Sequence, residues 1–188
     1  MKINHTKEQT KTSLLVVGAY SLDKSENKKT IKNKNETIKF LTHSQYYKNS
    51  SPFIWSESFS GNKGEITVVP TEEGNSVLLV GLGNEGNLIT ETIRRHVSQA
   101  IKQIFQKKIT VFSIDLDSFS NQKNNDHVLK VILEALFLST YQFEKYKTQK
   151  KSFHFENVSI ISKQISPKIF NDIMNETLHV TSSINLIS

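Results

Sequence analysis

The residues best suited to chemistry in this 188-residue chain are a glycine-rich turn, two aspartates and six histidines. Gly81-Leu82-Gly83-Asn84-Glu85-Gly86 matches the G-x-G-x-x-G spacing in full and directly follows an apolar run. In a dinucleotide fold, such glycines let the backbone approach a pyrophosphate at a helix N-terminus. Here the next helical period begins only at Thr90, too late for the third glycine to pack helix on strand. No acidic residue closes the following strand at the distance ribose binding requires, since Asp115 and Asp117 lie nearer thirty residues on. The turn therefore reads as a structural element whose glycines supply positive φ.

Asp115 and Asp117 stand at the end of an apolar run, where paired carboxylates can do acid-base work. Side chains at i and i+2 share a face only while a strand continues, and a loop begins at once here, so the pair reads as a surface turn. His5, His43, His96, His127, His154 and His179 never fall at a metal-ligand spacing such as His-x-x-x-His. His96, beside Arg94 and Arg95, reads as part of a solvated helix face. With no Gly-x-Ser-x-Gly elbow and no phosphate-binding Gly-Lys-Ser/Thr loop, the sequence offers no catalytic, cofactor-binding or metal-binding residue.

The elements that must carry these residues follow from hydrophobic pattern. Residues 1 to 12 are polar and read as a loose tail, and residues 13 to 188 as one domain. Ser13 to Tyr20 is a continuous apolar run suited to a strand buried on both faces. Residues 21 to 37 read as a loop, and Ile38, Leu41 and Tyr46 suggest a helix over 37 to 47. Glu65 to Pro70 and Ser76 to Gly81 form a predicted hairpin with its turn over Thr71 to Asn75. Thr90 is expected to cap a helix whose apolar residues Ile93, Val97, Ala100, Ile101, Ile104 and Phe105 share one face.

Ile109 to Leu116 reads as a strand, Asn121 to Asn125 as a turn, and Val128 to about Gln142 as an all-round apolar helix capped by Asp126. A lysine-rich loop over 145 to 152, a strand over 155 to 161 and a helix begun by Ser166-Pro167 complete the chain. Alternating strands and helices predict an α/β domain, three-layered, with a mixed sheet flanked by helices. The last apolar period runs to Ser188 without a stop signal, which suits a terminal helix and an internal boundary of a longer protein equally.

Composition narrows the partners. The net charge is +6, but only Arg94 and Arg95 among the 24 basic residues are arginine and the lysines are spread along the chain. That pattern argues against a phosphate-binding stripe and against nucleic acid as a partner. With no cysteine, no apolar leader and no apolar stretch of membrane length, the expectation is a cytoplasmic protein without disulfides or a membrane partner.

Four segments, taken in order, resemble the N-terminal domain of the leucyl (cytosol) aminopeptidase family: the strand Leu14 to Tyr20 with Phe59-Ser60-Gly61-Asn62-Lys63-Gly64-Glu65; Val77 to Glu85; Ile93-Arg94-Arg95; and Glu134-Ala135-Leu136 through Tyr141 to Lys147. The resemblance implies a macro-domain-like fold and a non-catalytic role in assembly. It also implies a separate C-terminal catalytic domain binding two divalent ions, zinc or manganese, and peptide substrates and hexamers for the whole protein. The stretches 21 to 37 and 46 to 57 fit the family poorly. The alternative, kept open by the glycine turn, is a stand-alone module binding a nucleotide or ADP-ribose.

Overall fold

The computed structural model describes residues 1–8, 12–22, 40–44, 46, 59–71, 74–120, 124–145 and 153–187. Its strands are β1 (Lys2–Thr6), β2 (Leu14–Ser21), β3 (Phe40–Leu41), β4 (Ile66–Pro70), β5 (Ser76–Gly81), β6 (Val111–Asp115) and β7 (Asn157–Ile161); its helices are α1 (Thr90–Gln106), α2 (Asn125–Lys145) and α3 (Pro167–Ile187). Six strands lie in the order β1-β7-β6-β2-β5-β4, with β3 pairing antiparallel to the last two residues of β2. The contiguous pairs from β1 to β5 are parallel and β4 runs antiparallel on β5, so the sheet is mixed and the fold α/β.

Strand alternation divides the core. Leu14, Val16, Tyr20, Leu78, Val80, Phe112, Ile114, Val158 and Ile160 project to one face and meet apolar residues from all three helices. There, α1 buries Ile93, Val97, Ala100, Ile101 and Ile104 along one stripe, while α2 lies between α1 and α3 and buries Val128, Leu129, Ile132, Leu133 and Leu136. The other face carries Leu15, Val17, Ala19, Val77, Leu79 and Ile161 under Phe59 and Tyr46. The three described helices all pack on the first face.

The hairpin forms as read, with Ile66 opposite Val80 and Pro70 opposite Ser76. Its turn is closed by the Thr71 amide on the Asn75 carbonyl at 2.8 Å. Ser166 also behaves as read: its Oγ accepts from the Ile169 amide at 3.2 Å and caps α3 beside Pro167.

Several expectations are corrected. Residues 2 to 6 are not tail but edge strand β1, in register with all of β7. His5 stacks on Phe170 of α3 with ring centroids 5.4 Å apart. With Ile3 its sole aliphatic residue, the strand has no hydrophobic period to betray it. Phe40 and Leu41 extend as β3 and Thr42–Ser44 follow in irregular conformation where a helix was expected, Tyr46 alone being helical among the described residues there; residues 37–39, 45 and 47, most of the 21–37 loop and residues 146–152 lie outside the described residues.

Thr90 does not cap α1. Ile89 holds the cap position without a side-chain bond, and Thr90 Oγ1 pairs with His127 Nε2 at 2.9 Å. Asn125, not Asp126, begins α2. Its amide side chain bonds Ser120 and Gln164, tying the helix start to the turn after β6 and to the segment before α3.

Candidate functional site

The carboxyl ends of β2, β5 and β6 bring the glycine turn, Asp115, Asp117 and His43 to one end of the sheet, whereas His154 precedes β7 and His179 lies on α3. The glycine turn leaves β5 there and interlocks with the loop Phe59 to Glu65. The Gly81 amide donates to the Glu65 carbonyl at 2.7 Å, Leu82 to Ala19 at 2.8 Å and Gly83 to Gly61 at 2.9 Å, while Gly64 donates back to the Gly81 carbonyl at 3.0 Å. The Gly86 amide is held by Asn84 Oδ1 at 2.8 Å.

Space explains the glycines as well as the hydrogen bonds do. A Cβ on Gly81 would lie 2.1 Å from the Asn62 carbonyl oxygen, and one on Gly61 2.6 Å from the Tyr20 backbone. In the turn itself, only Gly83 has positive φ, at +79°. Close backbone approach thus fixes glycine at Gly81 and left-handed geometry at Gly83, while Gly86 shows neither, so the positive-φ expectation holds at Gly83 alone. The amides of Gly81, Leu82, Gly83 and Gly86 that would cradle a phosphate are already bonded within the fold, so the turn cannot serve as a dinucleotide loop without breaking the clasp.

Glu65 anchors the opposing loop. Its carboxylate accepts from the Ser60 amide at 2.8 Å, the Asn62 amide at 3.1 Å and Asn62 Nδ2 at 3.0 Å. Burial pushes this carboxyl up, but the donated hydrogen bonds together outweigh it and hold the group below its ordinary value.

A second segment, Thr42 to Tyr46, is fastened across the same end. Thr42 Oγ1 donates to the Gly18 carbonyl at 2.8 Å, Ser44 Oγ to Asp115 Oδ2 at 2.5 Å, and Tyr46 Oη to the Lys7 carbonyl at 2.8 Å. These attachments run to distant backbone and side chains, beside a local turn in which the Ser44 amide donates to Thr42 Oγ1 at 3.2 Å. His43 Nε2 meets Glu85 Oε1 at 2.8 Å, and its ring packs 5.4 Å from that of Tyr20. Tyr20 is fully buried and its hydroxyl has no partner among the described residues; burial, then the charge of Glu85, push its pKa well up.

The surface-turn reading of the aspartates fails for Asp115, which is 1% exposed on the second face of β6. Burial, partly opposed by the Ser44 hydrogen bond, pushes its carboxyl up to about 6, with a further contribution from Asp117. The two do not share a proton as a catalytic dyad would. Asp117 instead accepts from Ser162 Oγ at 2.6 Å and the Lys163 amide at 3.0 Å, tying β6 to the end of β7. Ser118 closes this turn over Gly18, accepting from its amide at 2.8 Å and donating to the Asp115 carbonyl at 2.6 Å.

His96 is likewise not on a solvated face: it is 7% exposed, with Nδ1 paired to Gln99 Oε1 at 3.0 Å. Gly64, at φ +86°, leaves room for its ring against the clasp loop. The grouping of His43 with Glu85 and Tyr20 carries no signal in sequence, because His43 and Glu85 lie 42 residues apart and meet only where the chain after β3 returns over β2.

Among the described residues, no group of three His, Asp or Glu side chains could hold a metal ion, so these residues do not fit the two-ion set the resemblance implies for its catalytic domain. No described helix is long and apolar enough to cross a membrane.

The comparisons agree with this architecture. A family model described as the cytosol aminopeptidase family, N-terminal domain, matches residues 16–150. Proteins described as probable cytosol aminopeptidases are similar to the chain: that of Bdellovibrio bacteriovorus is 28% identical over 150 residues, 77% of this chain and 30% of the relative. That of Clostridium tetani is 29% identical over 132 residues, 70% of this chain and 26% of the relative. The chain thus spans between about a quarter and a third of these relatives' length. Among solved structures, a tomato leucine aminopeptidase variant superposes with a TM-score of 0.69 at 15% identity, covering 99% of this chain and 37% of that one, and so shares the fold. Turn, clasp loop and sheet lie within or beside the matched region, and the chain belongs to the cytosol aminopeptidase family as its N-terminal domain.

Proposed function

We propose that this domain is the non-catalytic assembly and accessory part of a metal-dependent leucyl aminopeptidase of the cytoplasm. In this reading, a separate C-terminal domain binds two divalent ions, zinc or manganese, and removes N-terminal residues from peptides, while the present domain supports a homo-oligomer, a hexamer in the family. The observation that carries the reading is the clasp between Gly81–Gly83 and Gly61–Glu65. The most site-like motif in the chain is engaged in holding two loops together. The greater length of the relatives supports placing the chemistry elsewhere.

Calorimetric titration of the chain with Mn²⁺ and with Zn²⁺ tests the assignment. Heats no larger than those of dilution and weak surface binding are expected. Saturable uptake of two ions per chain would place the metal centre in this domain and overturn the reading.

A further inference from the structure

Between the clasp loop and the first two turns of α1 lies a hollow of about 330 Å³, lined by Lys63, Ile89, Glu91, Thr92, Arg95 and His96. That volume is at the lower end of the range for small-molecule pockets. Two of its lining side chains rest on glycines. The stem of Lys63 lies against Gly83, where a Cβ would come within 2.6 Å of Lys63 Cγ, and the His96 ring sits against Gly64, whose added Cβ would be 3.4 Å from Cε1. Both glycines have positive φ, so these supports follow from backbone conformation.

The charges are arranged for a ligand of opposite sign. Lys63 and Arg95 make no ion pair with any described residue. His96, more than nine-tenths buried, uses Nδ1 on Gln99 and leaves Nε2 without a partner among the described residues while lining the hollow. The single acid on the rim, Glu91, is drawn to Arg94 at 2.7 Å, and Arg94 is also bound by Glu134 at 3.0 Å. An imidazole nitrogen open to a hollow that is also lined by a lysine and an arginine, neither paired with a carboxylate among the described residues, suits an acceptor-only group. Exposed Ile89 adds an apolar wall.

The geometry points to a binding site for a small oxyanion, a carboxylate or phosphate group on a compact organic body, held by Lys63, Arg95 and Nε2 of His96. The proton on Nε2 comes either from the imidazolium or from the tautomer in which the Gln99 amide, turned about, donates to Nδ1. The site does not depend on the accessory-domain reading and is compatible with a chain that has no peptidase activity.

The test is heteronuclear NMR titration of the whole chain with inorganic phosphate, and separately with acetate. Saturable shifts centred on the amides of Gly64, Arg95 and His96, with a dissociation constant near or below about 1 mM, are expected for at least one anion, and which anion saturates identifies the group. Lys63→Met, which keeps the packed stem, and Arg95→Met should each weaken binding roughly tenfold; Glu91→Gln should tighten it, and Lys102→Met, on exposed α1 surface, should leave it unchanged. Shifts that stay linear with both anions, or equal affinity in wild type and the Lys63→Met/Arg95→Met double variant, would overturn the site.

Discussion

The amide of Gly81 donates to the carbonyl of Glu65 at 2.7 Å while the Gly81 carbonyl receives the amide of Gly64 at 3.0 Å. This reciprocal pair makes the end of β5 continuous with the clasp loop, and the Gly81 Cα hydrogens face the Asn62 carbonyl with no room for a methyl group.

Alanine substitutions across the turn should therefore rank by available space. Gly81→Ala should cost about 3 kcal/mol or more, because the obstructing atom is backbone. Gly83→Ala should cost about 1–2 kcal/mol from its positive φ and displacement of the flexible Lys63 stem. Gly86→Ala, at negative φ and 3.2 Å from the Asn84 side chain, should cost less than about 1 kcal/mol. Urea denaturation measures all three; equal, small effects at Gly81 and Gly86 would remove the structural role of the clasp.

Asp115 should make stability depend on pH in an unusual direction for a carboxylate. Its folded value, about 6, lies above the ordinary 3.8. Its contribution to folding is thus fully present below pH about 3.8 and is lost as pH rises through about 6. Relative to Asp115→Asn, the wild type should lose on the order of 2–3 kcal/mol between pH 4 and 7. Ser44→Ala, by removing a hydrogen bond that favours the carboxylate, should raise the Asp115 titration midpoint further, as carboxyl NMR would show. A wild-type advantage that grew with pH would contradict the assignment.

Tyr20→Phe should be neutral or stabilising by up to about 1 kcal/mol, since it removes a buried hydroxyl with no partner among the described residues and keeps the ring packed on His43. Thermal unfolding checks this, and a loss of more than about 1 kcal/mol would show that the hydroxyl makes a stabilising bond.

Much of the scaffold was legible because burial leaves a period in sequence. Leu14 to Tyr20, buried on both faces, stands out as an unbroken apolar run, and α1 shows its core stripe at Ile93, Val97, Ala100, Ile101 and Ile104. Strand β1 was invisible because an edge strand with polar side chains has no such period. Thr42–Ser44 were misread because their conformation is set by partners in β2 and β6, which no local pattern encodes. Asp115 was placed on the surface by the end of its strand and His96 by its neighbours Arg94 and Arg95; a polar residue is buried when a partner such as Ser44 or Gln99 waits for it, and that partner is known only after folding.

The most direct test of the accessory-domain account is hydrolysis of leucine p-nitroanilide by this chain in the presence of Mn²⁺ or Zn²⁺. The account predicts no release of p-nitroaniline above that of the metal ion in buffer. Saturable, chain-dependent turnover abolished by a chelator would contradict it.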